Sequence, residues 1–492
     1  MCGIVGIIGR IKDEDINWLN KAALNLKHRG PDAGCSWIAP ARNAVFAHRR
    51  LSIIDTGHGS DQPFVSDDGK LVLVFNGEIY NYLELRAKLI SLGESFRTQG
   101  DTEVLLASYR LWGVKCLDHL NGMFAFAIWD QRHGVGRERL FVARDRSGEK
   151  PFYYRHEAGR FEFASELKGL RTKGGIDFQG LNHYLALGYV PGGLCLAEGV
   201  KKLPPAYAGI MNMDDGQFHT WQYWSLPKLE VTMDKEVNGA DLADEAWSLL
   251  LDSTRLRLRS DVPTGVFLSG GLDSSLVTAA ATQVCDKPVQ TFTIGVPGSP
   301  MDETVHAQRI SNAFSTDHHV LQIEKPSLDL LTDLAPFIDE PIADSSILPS
   351  FMISRLTRQH VTVALGGDGG DELFGGYQHY QDILRDTKLL NWMPGVAFRC
   401  MSGLAARLPA GIPGRNRVAS LRNGPAQSGI WGTPFFDYDL RRRLLKPDML
   451  DVLGEGLAAP EYRSVPFLQN SSDVVDSLTR MDFQQLLPDD YL

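Results

Sequence analysis

The stretch that most constrains the fold is TGVFLSGGLDSSLVTAAATQV, residues 264–284. A β-branched and aromatic run stops at paired glycines, and an alanine-rich helical stretch starts directly after them. The order recurs. VQTFTIGV is strand-like and leads to a helical stretch, HHVLQI follows, and VTVAL runs into GGDGGDE. Strands alternating with helices, with glycine-rich loops between them, predict a doubly wound parallel sheet. Ligands of such sheets bind at the carboxyl ends of the strands.

The first loop is Ser269-Gly270-Gly271-Leu272-Asp273-Ser274-Ser275. Its glycines let backbone approach an anion, and the helix start supplies free N–H groups and a positive dipole end. The hydroxyls of Ser269, Ser274 and Ser275 add donors. The loop lacks the GK[ST] ending of a Walker motif and is not GxGxxG. An aspartate inside a phosphate loop is unfavourable unless a cation lies between, so Asp273 is a candidate Mg²⁺ ligand. The second loop, residues 366–372, brings Asp368, Asp371 and Glu372 to another strand end. Asp273 with Asp368 or Asp371 is expected to hold Mg²⁺ on a pyrophosphate. The bland alternative is a tight turn with an Asp or Ser cap. Two such loops on one parallel sheet are hard to explain as turns alone.

The first half reads differently. GIVGII, KLVLVFNGEIY, GMFAFAIWD, RLFVARDR, KPFYYRH and RFEFASE are strand-like, with helical stretches at DINWLNKAALNLKHRG and NYLELRAKLISLG. Many strands with helices between them suggest a layered α/β sandwich. A turn-rich composition follows, with PGG, KKLPPAYAG and MDDGQ. These readings give a first domain over 1–212, a connecting segment over 213–235 and a second domain over 236–492. A chain of 492 residues is too long for one ordinary core. Its formal charge of −10 argues against a general nucleic-acid binder. The six cysteines are scattered, with no CxxC pair, so neither a disulfide framework nor a zinc site is expected. No apolar stretch is long enough to span a bilayer and no signal peptide is visible, so a cytoplasmic enzyme without a membrane partner is expected.

SGGLDSS after a strand resembles the signature of the N-type ATP pyrophosphatases. FTIGVPGS, DEPIADSSILPS and ALGGDGGDELFGGY resemble the synthetase domain of glutamine-dependent asparagine synthetases. MCGIVGIIG, HRGPDA, HRRLSIID, NGEIYN, GDTEV, NGMFAFAIWD and ARDRSGEKPFYY resemble, in order, the glutaminase domain of the same family. The resemblance implies an N-terminal-nucleophile (Ntn) hydrolase αββα sandwich of the class II glutaminase type, followed by an adenine-nucleotide α-hydrolase-like sheet. It implies ATP and Mg²⁺ as cofactors, and aspartate adenylated, pyrophosphate released and AMP displaced by ammonia. It also implies an internal ammonia passage, and family members often form homodimers. An alternative in the same superfamily amidates a sugar acid or another carboxylate. GEKPFYY, where GIKPLYY is commoner, keeps that alternative open.

Cys2 alone could be a small hydrophobe opening a strand. With the companion motifs it is read as a nucleophile. Removal of Met1 leaves it with a thiol and an α-amine whose ordinary pKa suits proton relay at neutral pH. The thiolate attacks the glutamine amide, a thioester forms, ammonia leaves and water regenerates the thiol. Asn76 and Gly77 are the expected oxyanion donors, although Asn-Gly is also a common type I′ turn. The family pattern assigns the substrate α-carboxylate to Arg50 and not to Arg49, as a bidentate fork. Glu78 and Asp101 suit the substrate ammonium, and Asp101 could equally cap a helix. By resemblance, the backbone of Leu51, Ser52, Ile53 and Ile54 also lines this pocket. His28 and His48, beside arginines, are read as structural. ATP is expected against Phe267, Leu268, Ile294, Gly366 and Gly367, with pyrophosphate on 269–275. Two departures stand out. Gly366 replaces a common serine, and the lysine-bearing segment that family members carry further on is not seen before Leu492. The second domain is therefore expected to be incomplete.

Overall fold

The computed structural model describes residues 1–227, 238–299, 302–322, 328–390, 392–409, 411–421, 435–463, 465–468 and 473–491. Its first half contains β1 (Gly3–Ile8), α1 (Asp13–Asn25), β2 (Ala33–Ile38), β3 (Ala44–Arg50), β4 (Phe64–Val65), β5 (Leu71–Ile79), α2 (Tyr82–Ser91) and α3 (Asp101–Trp112). There follow β6 (Gly122–Asp130), β7 (Arg139–Arg144), β8 (Tyr153–Glu157), β9 (Arg160–Ala164), α4 (Phe178–Leu187), β10 (Lys201–Lys202), β11 (Tyr207–Asn212) and β12 (Phe218–Gln222). These strands form two six-stranded sheets, ordered β10-β8-β9-β1-β3-β2 and β12-β11-β7-β6-β5-β4. The pairings within both sheets are antiparallel.

Period-two alternation decides which face meets what. In β1, Ile4 and Ile8 enter the core between the sheets with Phe46, Val72, Val74 and Trp129. Val5 and Ile7 point the other way, onto Leu19, Ala22 and Ala23 of α1. In β5, Val72 and Val74 face the inter-sheet core, whereas Leu71, Leu73 and Phe75 face Leu85, Leu89 and Leu105 of α2 and α3. The result is an αββα sandwich, in which every strand carrying the site is buried on both sides. Gly6 is required by this packing, since a Cβ there would lie 2.4 Å from the Phe163 ring.

The second half begins with α5 (Gly239–Arg257), whose start is capped by Asn238 through a 3.1 Å bond from the Ala240 N–H. Then come β13 (Thr264–Phe267), α6 (Leu272–Val284), β14 (Gln290–Gly295), α7 (Thr304–Phe314) and β15 (Asp317–Gln322). α8 (Leu328–Leu334) and α9 (Ile347–Thr357) lead to β16 (Val363–Leu365) and the short α10 (Gly370–Phe374). The sheet order is β15-β14-β13-β16, and β13–β14, β14–β15 and β13–β16 are parallel. The chain winds one way from β13 to β15 and then returns to the far side of β13. The switch point therefore falls between β13 and β16, where both glycine loops emerge.

The stretch expected to connect the halves is not all linker. Phe218–Gln222, inside 213–235, is β12, an edge strand paired with β11; residues 228–235 lie outside the described residues. The halves also interlock. Phe178, Leu181 and Leu185 of α4 pack on Leu445, Leu453 and Leu457, and Arg441, fully buried, donates to Asn182 Oδ1 at 2.8 Å.

Candidate active site

Pairing of β1 with β3 puts Gly3 opposite Arg49, so Cys2 lies beside the turn that follows β3. The Leu51 N–H reaches its Sγ at 3.5 Å, and the thiol faces the Leu51 carbonyl at 3.7 Å. Burial pushes the Cys2 thiol pKa up, while the neighbouring α-amine and Arg50 pull the other way. Burial also lowers the Met1 α-amine to about 5. The Met1 amine is thus a free base at neutral pH, and the thiol keeps its proton until a base removes it.

β5 supplies the rest of the pocket through its open edge. β4 covers β5 only at Val72 and Leu73. Beyond them, alternate peptide groups turn away from β6 and need other partners. At Phe75 the N–H donates to Gln62 Oε1 at 2.7 Å and the carbonyl accepts from His48 Nε2 at 3.0 Å. At Ile79 the N–H donates to Asp101 Oδ2 at 2.9 Å. Gly77, between them, turns the same way. Its cross-strand neighbour Phe124 is bonded instead to Asp145, by N–H at 3.0 Å and carbonyl at 2.8 Å. Gly77 lines the Cys2 pocket with Asn76. Its φ of +154° and a Cβ position 2.0 Å from the Met123 carbonyl exclude a side chain there. Both polar atoms of the fully buried Asn76 amide have no protein partner. Asn76-Gly77 is therefore strand, not the alternative type I′ turn.

Glu78 and Asp101 converge on the same pocket. Burial, then the Asp101 charge, raises Glu78 to about 7, and burial raises Asp101 to about 6. Glu78 Oε1 is buried without a partner. Two carboxylates held this way form a receptor for a cation. Asp101 is also the first residue of α3, whose N-cap position is taken by Gly100.

Arg50 lines the pocket too, but the free bidentate fork expected of it is not seen. Nη1 donates to the Gly57 carbonyl at 2.7 Å and Asp61 Oδ1 at 2.9 Å, and Nη2 to the Ile54 and Asp55 carbonyls. Only the Nε–H remains of its five donors. Leu51, Ile53 and Ile54 line the pocket; Ser52 does not, because its N–H is turned to Asp32 Oδ2 at 2.9 Å. Gln62, Thr102, Met123 and Lys150 complete the wall. Gln62 lies outside every quoted motif, while Thr102 stands in GDTEV and Met123 in NGMFAFAIWD without having been singled out. Lys150 stands inside the motif GEKPFYY, whose own signal concerned strand and family.

At the second site, Gly270 takes φ +84° and would meet His306 Cβ at 2.6 Å if it carried a Cβ. α6 has Gly271 at its N-cap and no side-chain cap, so its cap residue leaves the first N–H groups unsatisfied. Ser269 and Ser274 hydroxyls share a 2.9 Å bond, and Ser275 Oγ donates to the Gly271 carbonyl at 2.6 Å. The second loop packs directly on the first. A Cβ on Gly367 would lie 3.0 Å from the Ser274 nitrogen, and one on Gly370 would lie 2.6 Å from Asp273 Cγ. Burial and the Asp371 charge raise the Asp273 pKa. Asp368 instead turns its carboxylate over Gly366, whose Cβ position is 2.3 Å from Oδ2. Among the described residues no three acidic, histidine or cysteine side chains converge as a metal cluster; of the two partners expected for Asp273, Asp371 is the one whose charge acts on it. Leu268 has its N–H bonded to the Phe292 carbonyl at 2.9 Å, and its carbonyl accepts from the Thr293 hydroxyl, so its N–H is already engaged while the carbonyl keeps a second lone pair. Ile294 lies in β14, in register with Leu321 of β15.

One cleft of about 580 Å³ runs between the two sites. It shares Met1, Leu51, Ile53, Glu78, Met123 and Lys150 with the Cys2 pocket and reaches Phe267, Gly366 and Asp368.

An Ntn-type sandwich whose cleft opens onto a parallel nucleotide-binding sheet defines a glutamine-hydrolysing amidotransferase of the ligase class. Comparison with known proteins agrees. Residues 1–224 match the glutamine amidotransferase domain family and residues 245–492 the asparagine synthase family. The chain is 38% identical over 404 residues to a putative glutamine-hydrolysing asparagine synthetase 2 of Methanocaldococcus jannaschii, covering 77% of this chain and 76% of that one. It is 33% identical over 459 residues to asparagine synthetase 1 of Bacillus subtilis, covering 91% and 70%. With asparagine synthetase B of Escherichia coli the identity is 33% over 402 residues, covering 77% and 65%. A solved glutamine phosphoribosylpyrophosphate amidotransferase from B. subtilis is similar at 16% identity and a TM-score of 0.34, covering 75% of this chain and 82% of that one, too slight a likeness to carry weight. The chain belongs to the glutamine-hydrolysing asparagine synthetase family, and its asparagine synthase domain implies use of ATP. Among the described residues no helix is long and apolar enough to cross a membrane.

Proposed function

We propose that this chain hydrolyses glutamine at Cys2 and delivers the ammonia to an adenylated carboxylate, that of aspartate, to form asparagine. The continuous cleft from the Cys2 pocket to the second glycine loop carries this reading, because ammonia released to water becomes ammonium and loses its nucleophilic lone pair. Once Met1 is removed, the α-amine of Cys2 takes the thiol proton and Sγ bonds to the amide carbon. The Asn76 amide and the Gly77 N–H bind the developing oxyanion, the α-amine passes its proton to the amide nitrogen, which leaves as ammonia, and water cleaves the thioester to glutamate and the free thiol. Glu78 and Asp101 hold the substrate ammonium. Arg50 meets the α-carboxylate through Nε, or through Nη groups released from the 54–57 carbonyls.

At the second site the acid's oxygen attacks the α-phosphorus of ATP and pyrophosphate leaves along 269–275. Ammonia then adds to the acyl carbon and AMP departs. Asp273 and Asp371, two carboxylates beside substrate phosphates, fit the donor set that Mg²⁺ takes. They would hold that ion, and it would offset the charge of the departing pyrophosphate.

The test is glutamine-dependent pyrophosphate release over a panel of carboxylic acids. Aspartate as the preferred acid, with asparagine and AMP formed in step, supports the reading. Preference for a sugar acid would replace the product while leaving the family intact.

A further inference from the structure

His48 was read from sequence as a structural residue, and the tertiary contacts give it a more specific task. It stands on the same face of β3 as Phe46, which lies in the inter-sheet core. It is buried to 1% exposure, and its Nε2 reaches across to the Phe75 carbonyl on the open edge of β5. A carbonyl only accepts, so Nε2 carries the proton and Nδ1 is a bare acceptor. That Nδ1 is buried with no partner. Burial holds the ring neutral, with a pKa down to about 4. A fully buried imidazole with one nitrogen left unsatisfied is poor material for a core, and calls for an explanation other than packing.

The atom it holds supplies that explanation. The Phe75 carbonyl belongs to the peptide plane joining Phe75 to Asn76. Gln62 fixes the plane before it, through the Phe75 N–H. The Asn76 amide has no hydrogen-bond partner of its own among protein atoms, so the backbone on either side, with the packing around it, aims it. On the far side, the Met123 carbonyl closes over Gly77.

We infer that His48 is a positioning residue for the oxyanion site, donating Nε2–H to the Phe75 carbonyl so that the Asn76 amide and the Gly77 N–H point together at the oxygen of the tetrahedral intermediate. This rests on the glutaminase reading above. The interaction matters most where the oxyanion exists, so its loss lowers kcat and leaves ground-state glutamine binding nearly unchanged.

The test compares wild type, His48→Leu and His48→Gln in the full chain. Glutamine's side-chain nitrogen can occupy the place of Nε2 and donate to the same carbonyl. Three quantities are measured: glutamine kcat and KM, the rate of Cys2 alkylation by iodoacetamide, and inhibition by an aldehyde analogue of glutamine. The aldehyde's thiol adduct places an oxygen where the oxyanion forms, whereas alkylation forms none. His48→Leu is expected to lower kcat roughly 10- to 30-fold and to weaken aldehyde inhibition by a similar factor, with KM and alkylation within about threefold of wild type. His48→Gln recovers most of both losses. Loss of alkylation in step with kcat would show a collapsed site and overturn the inference, as would unchanged kcat in His48→Leu or no recovery in His48→Gln. A wild type without Cys2-dependent glutamine turnover would remove the glutaminase reading itself, a result distinct from any of these.

Discussion

Asp261 grips the loop over Cys2 at two points: its N–H donates to the Ile53 carbonyl at 3.0 Å, and its carboxylate accepts the Asp55 N–H at 2.7 Å. Asp261 lies just before β13, which ends at the Ser269 loop, and Ile53 lines both the Cys2 pocket and the connecting cleft. The two sites are thus joined by short, direct backbone. Asp261→Ala is expected to cost only about 1 kcal/mol, since the bond is exposed. Its effect should appear as coupling: less asparagine formed per glutamine hydrolysed, with free ammonia rising to match. Equal coupling in mutant and wild type would argue against this link.

Asn76→Ala removes an unpartnered amide donor from a buried pocket. Loss of one oxyanion donor costs about 3–4 kcal/mol at the transition state, so glutaminase kcat should fall roughly 100- to 1,000-fold. Supplied ammonia should bypass the defect, and ammonia-dependent synthesis measured alongside checks that the second site is intact.

The pH dependence of glutamine use follows from Glu78 and Asp101. Both carboxyls are raised by burial, Glu78 to about 7 and Asp101 to about 6. A bound ammonium needs them ionised, so the glutamine KM should rise roughly tenfold from pH 8 to pH 6. Glu78→Gln should raise KM at pH 8 and flatten the profile. Stability runs the other way. A raised pKa means that the substrate-free fold holds more protons than the unfolded chain. These two groups therefore favour folding more at pH 5 than at pH 8, and melting with and without glutamine at each pH tests the reversal.

Gly370→Ala would place a methyl 2.6 Å from Asp273 Cγ and push that carboxylate away from Asp371. Pyrophosphate release should fall roughly 100-fold, while glutamine hydrolysis stays within about twofold of wild type. Loss of both activities would indicate that the loops hold the interface between the halves and not only the nucleotide site.

Much of this arrangement was legible beforehand because it rests on local pattern. Alternation in GIVGII and LVLVF marks strands buried on both sides, and the glycines at 270 and 370 mark close backbone approach. The misread parts depend on partners distant in sequence. Arg50 looked like a free fork, and its donors go to the loop at 54–61. Ser52 looked like pocket wall, and Asp32 turns it away. The segment after residue 212 looked like linker, and β12 completes a sheet.

Sequence by itself determined the two fold classes and the paired glycine loops, because periodicity and backbone permissiveness are written in consecutive residues. Tertiary structure alone decided which side chains satisfy the open edge of β5, leaving the Gly77 peptide on the pocket wall and assigning the Phe75 carbonyl to His48. Those choices come from strands far apart in the chain that meet only when the two sheets close over a common core.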